Sequence, residues 1–177
     1  EGLKGSAQPA GVQNHVLDAL DQQTTQIAEF LGDPSSPGPW SRRGLVIGEV
    51  QSGKTGTYIG TLNKALDLEY DIVVVIGGHT EDPRRQPPER VDSDLVGRDS
   101  SHLSRPGSSE QTSLIGVGEQ LGGVGTNVLT SVRSDFQRSN ATSSGVSLGT
   151  GTPTVFVVKK NASVLKNLAA YVRSMLN

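Results

Sequence analysis

Eight consecutive residues in the first third of the chain have the types and spacing of a phosphate-binding loop. Gly48 to Thr55 read Gly-Glu-Val-Gln-Ser-Gly-Lys-Thr, which matches the pattern G-x-x-x-x-G-K-[ST]. Glycines in such a loop let the backbone curl, so that successive N–H groups and the N-terminus of the next helix point at phosphate oxygens. The residues that we expect to bind a nucleotide are Gly48, Val50, Gln51, Ser52, Gly53, Lys54, Thr55 and Gly56.

Two side chains of this loop would take part in chemistry rather than shape the backbone. A lysine at this position reaches the β- and γ-phosphates, and the hydroxyl that follows it binds the accompanying Mg²⁺. We assign the first role, that of the catalytic side chain, to Lys54, and the role of magnesium ligand to Thr55. ATP and Mg²⁺ are therefore the predicted cofactors.

The second half of a catalytic site is not evident in the sequence. Phosphoryl transfer also requires an acidic residue that helps to hold the metal, usually an Asp at the end of another strand. The two strongest apolar runs end instead in Gly77-Gly78-His79 and in Lys159-Lys160. We therefore predict that these 177 residues bind ATP but hydrolyse it little or not at all.

Basic and amide side chains follow the first of these apolar runs. Arg84, Gln86 and Arg90 come just after it, and arginine can pair with a phosphate in bidentate fashion. Four acidic residues between positions 81 and 92 offset much of this positive charge. The residues alone are compatible with a solvated surface patch and with contact to a phosphate backbone.

The elements that must position these residues follow an α/β pattern. Helical periodicity and continuous apolar runs predict helices over about 12–31, 54–70 and from about 163, and buried strands at 44–47, 72–77 and 154–158. Gly56 and Gly60 inside the second helix indicate close approach to a sheet or a ligand. We expect a parallel sheet flanked by helices, typical of a P-loop nucleotide-binding domain.

The chain divides into a leading segment and a lobe. Residues 1–40 hold the first helix and a linker rich in Pro, Gly and Ser, and residues 41–177 form the P-loop lobe. Within that lobe, about residues 97–152 contain 10 Gly and 12 Ser among 56 residues. This stretch reads as an insertion with few apolar pieces and without a predicted element.

Composition excludes several classes of function. The chain has no cysteine, which rules out disulfides, thiolate metal sites and cysteine nucleophiles. Its net charge of −2 gives no overall basic field, although a local basic patch remains compatible with nucleic-acid binding. The longest apolar run is far below the roughly 18 residues of a membrane span, and we expect no signal peptide. We predict a cytoplasmic protein with no membrane partner.

Four stretches, in this order, resemble the Z-one domain family, bacterial endonucleases whose ATPase part is similar to superfamily-two helicases. The stretches are residues 43–55; Arg84, Gln86, Arg90, Val91, Asp92, Leu95, Val96 and Gly97; Leu129-Thr130 with Asp135-Phe136; and residues 157–161 with Val164-Leu165. Together they cover about residues 41–176. Pro87-Pro88 departs from the family pattern, which has polar residues there.

The resemblance implies a RecA-like ATPase lobe that acts on DNA in restriction or defence, with partner ATPase, methyltransferase or nuclease subunits. It implies in addition that Arg84, Gln86 and Arg90 contact the DNA backbone. It also implies that the acidic strand follows Asn177, so that the lobe is incomplete. Two alternatives stay open. One is a small P-loop kinase acting on a metabolite, and the other is a non-catalytic nucleotide-binding interaction module.

Overall fold

A computed structural model of the chain describes residues 14–47, 53–77, 89–100, 113–121, 125–130 and 136–176. Its elements are α1 (Asn14–Glu29), α2 (Lys54–Asp67), β1 (Ile72–Gly77), a π-helical turn (Asp92–Val96), α3 (Val117–Leu121), β2 (Asn127–Val128), α4 (Arg138–Ser143), β3 (Thr154–Lys159) and α5 (Ala162–Leu176). Contacts divide the chain into two compact units, residues 1–64 and residues 65–177, with the boundary inside α2.

The second unit is built on three parallel strands in the order β1-β3-β2. β1 pairs with β3 along its whole length, from Ile72 opposite Thr154 to Gly77 opposite Lys159. β2 adds only two residues on the other side of β3. Both long strands were predicted from their apolar runs and are confirmed, as is a mixed helix and strand architecture with a small open parallel sheet flanked by helices.

The central strand β3 is buried over its first five residues. It is longer than β2, so its backbone needs another partner where β2 has ended. The hydroxyl of Thr130 accepts a hydrogen bond from the Val157 N–H at 2.7 Å, and this pair is buried. A threonine side chain thus continues the pairing that two residues of β2 begin.

The main hydrophobic core joins one face of β3 to α5 and to the Gly- and Ser-rich segment. Three aromatic rings meet there, with centroids 5.7 Å apart for Phe136 and Phe156 and 5.4 Å apart for Phe136 and Tyr171. Half of the buried cluster comes from the segment in which the sequence pattern predicted no element. The buried members are Leu129, Phe136, Ala141, Leu148, Phe156, Val158, Leu168 and Tyr171.

The predicted strand at residues 44–47 was wrong. The structure describes these residues and assigns them no strand, and the side chains of Leu45 and Ile47 are 83% and 85% exposed. Apolar and β-branched residues favour a strand only where another strand pairs with them and a second layer covers them. The third strand of the sheet is instead β2, which the apolar pattern did not reveal.

The three predicted long helices are confirmed within the described residues. α2 ends at Asp67, three residues earlier than expected, because Glu69 adopts a left-handed conformation with φ of 64°. The N–H groups of Glu69 and Tyr70 then bond to the carbonyls of Leu66 and Ala65, which is the Schellman ending of a helix. At the start of α5, the Asn161 side chain caps the helix by accepting from the Ser163 N–H at 2.9 Å. No helix in the described ranges is long and apolar enough to cross a membrane.

Tyr171→Phe tests how the core tolerates a buried hydroxyl. The Tyr171 hydroxyl has no hydrogen-bond partner among the described residues, and burial raises the pKa of this phenol. Phenylalanine should therefore keep or increase the free energy of unfolding at pH 8, by up to about 1 kcal/mol. In the wild type the unfolded tyrosine ionises from about pH 10 while the folded one stays protonated, so stability falls as the pH rises further.

Urea unfolding at pH 8 and at about pH 10.5 checks both statements. The decrease in stability between the two pH values should be smaller in the variant than in the wild type. A loss of more than about 2 kcal/mol at pH 8 would contradict the assignment, because it would show that the hydroxyl is well bonded in the native state.

Candidate functional site

The predicted phosphate-binding residues that the structure describes lie at the start of α2. Gly53 has φ of 74°, a left-handed conformation that glycine adopts without steric cost, and α2 begins at the next residue. The hydrogen bond from the Thr57 N–H to the Gly53 carbonyl, at 3.2 Å, opens the helical ladder. Lys54 and Thr55 are exposed in the first turn. The structure therefore places a positively polarised helix end, an ammonium group and a hydroxyl in one turn of the chain.

Several predicted site residues lie outside the described residues. These are Gly48, Val50, Gln51 and Ser52 of the loop, and Arg84 and Gln86 of the predicted DNA contact. Gly53, Lys54, Thr55 and Gly56 are brought together in the first unit, whereas Arg90 belongs to the second unit.

The first turn of α2 fits the groups that a magnesium nucleotide requires. The N–H groups of a first helical turn lie outside the helical ladder and favour an anion. Mg²⁺ is commonly held by one or two protein oxygens together with phosphates and waters, and the exposed Thr55 hydroxyl supplies one such oxygen. Within the described part of the chain, no three His, Cys, Asp or Glu side chains are grouped so as to hold a metal ion.

α1 packs against the same helix, and sequence reasoning did not identify it as the neighbour of Gly56 and Gly60. A methyl group added at Gly56 would lie 3.4 Å from Leu20, and one added at Gly60 would lie 2.8 Å from the Thr24 methyl group. Among the described residues, the two glycines thus allow a close approach to a helix and not to a sheet, and the expected approach of a ligand stays a prediction.

Polar contacts extend this packing along α2. The Thr57 hydroxyl donates to Gln23 Oε1 at 3.0 Å, and Lys64 Nζ lies 2.7 Å from Asp21 Oδ1. The signal in the sequence was the spacing Gly-x-x-x-Gly, which presents a flat surface on one side of a helix. That spacing does not say which element fills the surface.

The residues around Arg90 form a compact turn that is stabilised by a buried carboxylate. Asp92 is 2% exposed and accepts hydrogen bonds from the Ser100 N–H at 2.9 Å and from the Ser100 hydroxyl at 2.7 Å. The π-helical turn ends at Gly97, whose N–H donates to the Asp92 carbonyl at 2.7 Å. Val91, Leu95 and Val96 are buried. Most residues between Arg90 and Gly97 therefore stabilise the fold locally.

Arg90 itself is exposed and carries an ion pair. Its guanidinium Nη1 lies 3.0 Å from Asp94 Oδ2, one helical turn further on. An acid that faces the arginine so closely compensates part of its charge, so a nucleic-acid phosphate would have to compete with Asp94. This geometry leaves the predicted DNA contact of Arg90 as a prediction.

Comparison of the chain with protein-family models, with curated proteins and with solved structures finds no match in any of the three. The family resemblance therefore rests on the residues alone.

Asp92→Ala and Arg90→Ala should differ sharply in their effect on stability. Alanine at position 92 leaves the N–H and hydroxyl of Ser100 buried without this acceptor, which should reduce the free energy of unfolding by about 1–3 kcal/mol. Alanine at position 90 removes only an exposed ion pair, so the change should stay within about 0.5 kcal/mol. Chemical denaturation monitored by circular dichroism measures both. Equal decreases in the free energy of unfolding of the two variants would contradict the assignment of the structural role to Asp92 and not to Arg90.

Proposed function

We propose that the chain binds magnesium ATP through residues 48–56 and that it is the ATP-binding lobe of a helicase-like ATPase acting on DNA. The observation that carries the first part is the geometry at the start of α2. A glycine in the left-handed conformation directly precedes a helix whose first turn exposes Lys54 and Thr55. The sequence pattern requires such a helix after the loop, whereas the strand that it also requires before the loop is not formed at residues 44–47.

Each residue has a defined role in the proposal. Gly53 turns the backbone so that the first N–H groups of α2 face the phosphates. Lys54 contacts the β- and γ-phosphates, and the Thr55 hydroxyl holds Mg²⁺, which neutralises phosphate charge when bound. Gly48, Val50, Gln51 and Ser52 are assigned to the rest of the loop by sequence alone.

The helicase-like part of the proposal is supported by the order of the motifs and by the parallel sheet. α2 is followed by β1, which pairs in parallel with β3. Arg84, Gln86 and Arg90 are the proposed DNA contacts. Restriction or defence, with partner ATPase, methyltransferase or nuclease subunits, is the setting that the family resemblance supports.

Hydrolysis by this chain alone should be weak. β1 ends at Gly77 and β3 at Lys159, so neither of the two long strands carries an acid at its carboxyl end. An acid at that position would normally help to hold the metal during phosphoryl transfer. Robust magnesium-dependent turnover by the purified chain would overturn this part of the proposal.

Lys54→Ala is the direct test of nucleotide binding. At a magnesium ATP concentration 100 times the Kd, the wild type should gain about 2.7 kcal/mol of stability against unfolding. The variant should lose most of this gain because the ammonium group no longer meets the phosphates. Lys166→Ala, at an exposed position of α5, is the matched control and should behave like the wild type. Equal stabilisation of Lys54→Ala and wild type by ATP would refute the proposed site.

Coupling between ATP and DNA separates the helicase-like function from the two alternatives. If the ATP and DNA sites are coupled, as in a helicase-like ATPase, single-stranded or duplex DNA should change the ATP affinity by about 5-fold or more. ATP should then change the DNA affinity by the same factor. A metabolite kinase or a non-catalytic interaction module should show no such change. Fluorescence titrations with a labelled nucleotide, with and without DNA, measure the coupling, and a ratio of one would remove the DNA part of the proposal.

A further inference from the structure

We propose that Gln23 and Thr24 of α1 are positioning residues for the phosphate-binding turn, and that nucleotide affinity depends on α1 being docked against α2. The inference rests on the proposed ATP site. Neither residue belongs to the phosphate-binding motif, and both act on it through α2.

Thr24 is fixed in the surface that the two glycines of α2 create. It is 1% exposed, and its hydroxyl donates back to the carbonyls of Leu20 at 2.9 Å and Asp21 at 3.0 Å. With the hydroxyl held in this way, the methyl group is directed at Gly60, where an added methyl group would approach it to 2.8 Å. β-Branched side chains have few rotamers in a helix, so this methyl group cannot turn aside without losing its hydrogen bonds.

Gln23 acts at the residue that opens the helix. Its amide oxygen accepts the hydrogen bond of the Thr57 hydroxyl, and Thr57 is 8% exposed. The N–H of the same residue makes the bond to Gly53 that begins α2. Two hydrogen bonds of Thr57 therefore connect the Gln23 side chain of α1 to Gly53, the glycine at the phosphate-binding turn. Further along α2, the ion pair of Asp21 with Lys64 extends the contact over about two more turns.

This arrangement fixes the direction in which the first N–H groups of α2 point. Those groups follow the helix axis, so a helix that can tilt presents them correctly only part of the time. The measured Kd equals the intrinsic Kd divided by the fraction of molecules in the competent arrangement. If undocking reduces that fraction to about one tenth, the Kd rises about tenfold, although no phosphate contact has been removed.

Gly60→Ala disrupts the docking of α1 without weakening α2. Alanine is a better helix former than glycine, so α2 itself should become more helical. The added methyl group overlaps the Thr24 methyl group, and α1 has to move. We expect a rise of about tenfold in the Kd for magnesium ATP, while the far-UV circular dichroism of the chain stays that of a folded protein.

Thr24→Ser in the Gly60→Ala background is the rescue. Serine keeps the hydroxyl and its bonds to Leu20 and Asp21 but lacks the methyl group that clashes. The nearest Thr24 atoms would then be Cβ at 3.5 Å and Oγ1 at 3.6 Å, which are ordinary contacts. The double variant should return to within about twofold of the wild-type Kd. Gly44→Ala is the matched control, because no atom of the described residues lies within 4 Å of the added methyl group, and it should bind ATP like the wild type.

A second pair of variants covers the case in which Gly60→Ala fails to fold. Gln23→Leu leaves the Thr57 hydroxyl without its acceptor, whereas Gln23→Glu keeps an oxygen at that position. The leucine variant should raise the Kd by about fivefold, and the glutamate variant should retain the wild-type affinity. A residue that only stabilises the fold would change the unfolding midpoint in these variants but not the Kd of the folded fraction.

The outcomes separate this inference from the proposed function. If the wild type and Lys54→Ala bind ATP equally, or neither binds it, the ATP site itself is wrong. If Lys54→Ala abolishes binding while Gly60→Ala and Gln23→Leu keep the wild-type Kd, the site stands and the positioning role of α1 is overturned. If the double variant stays as weak as Gly60→Ala, the role of the Thr24 methyl group is overturned as well.

Discussion

The second unit depends on the complete pairing of a strand that is buried on both faces. Each N–H and C=O of such a strand needs a partner, because an unpaired buried backbone group costs about as much as a lost hydrogen bond. β1 pairs along the full length of one edge of β3, whereas β2 covers only two residues of the other edge. The hydroxyl of Thr130 supplies an acceptor beyond those two residues. β2 and the Thr130 hydroxyl thus supply hydrogen-bond partners for the second edge of β3, although the segment that contains them is largely irregular.

This constraint explains why part of the fold could be predicted and part could not. Continuous apolar runs identified β1 and β3, and helical periodicity identified α1, α2 and α5, because local pattern and buried environment agree there. β2 has two residues and no periodicity, and its apolar neighbours are spread among glycines and serines. Phe136 and Leu148 belong to the core through long-range contacts that no local pattern encodes. Conversely, Leu45 to Ile47 have the composition of a strand but no described partner to pair with.

The candidate site shows the same division between local and long-range information. The sequence predicted the helix that starts at Lys54 from its apolar periodicity, and the phosphate-binding motif ends in the first turn of that helix. It could not predict that the close approach at Gly56 and Gly60 is made by α1, since glycine spacing records only that something approaches. It also gave no sign that Asp92 is buried against Ser100, a contact that depends on the course of the chain beyond Gly97.

The packing of α1 on α2 also has a thermal consequence. Gln23 and Thr57 are 34 positions apart, so their contact closes a long connection and carries the entropy cost of doing so. Against that cost stand a few small contacts, since most of α1 is exposed and Thr24 is its one buried residue among those described. Segments held by so little buried surface open at a lower free energy than the core of a protein. On warming, α1 should therefore separate from α2 before the strands of the sheet separate. The highest temperature at which the chain binds nucleotide would then be set by the contact of these two helices and not by the unfolding of the whole chain.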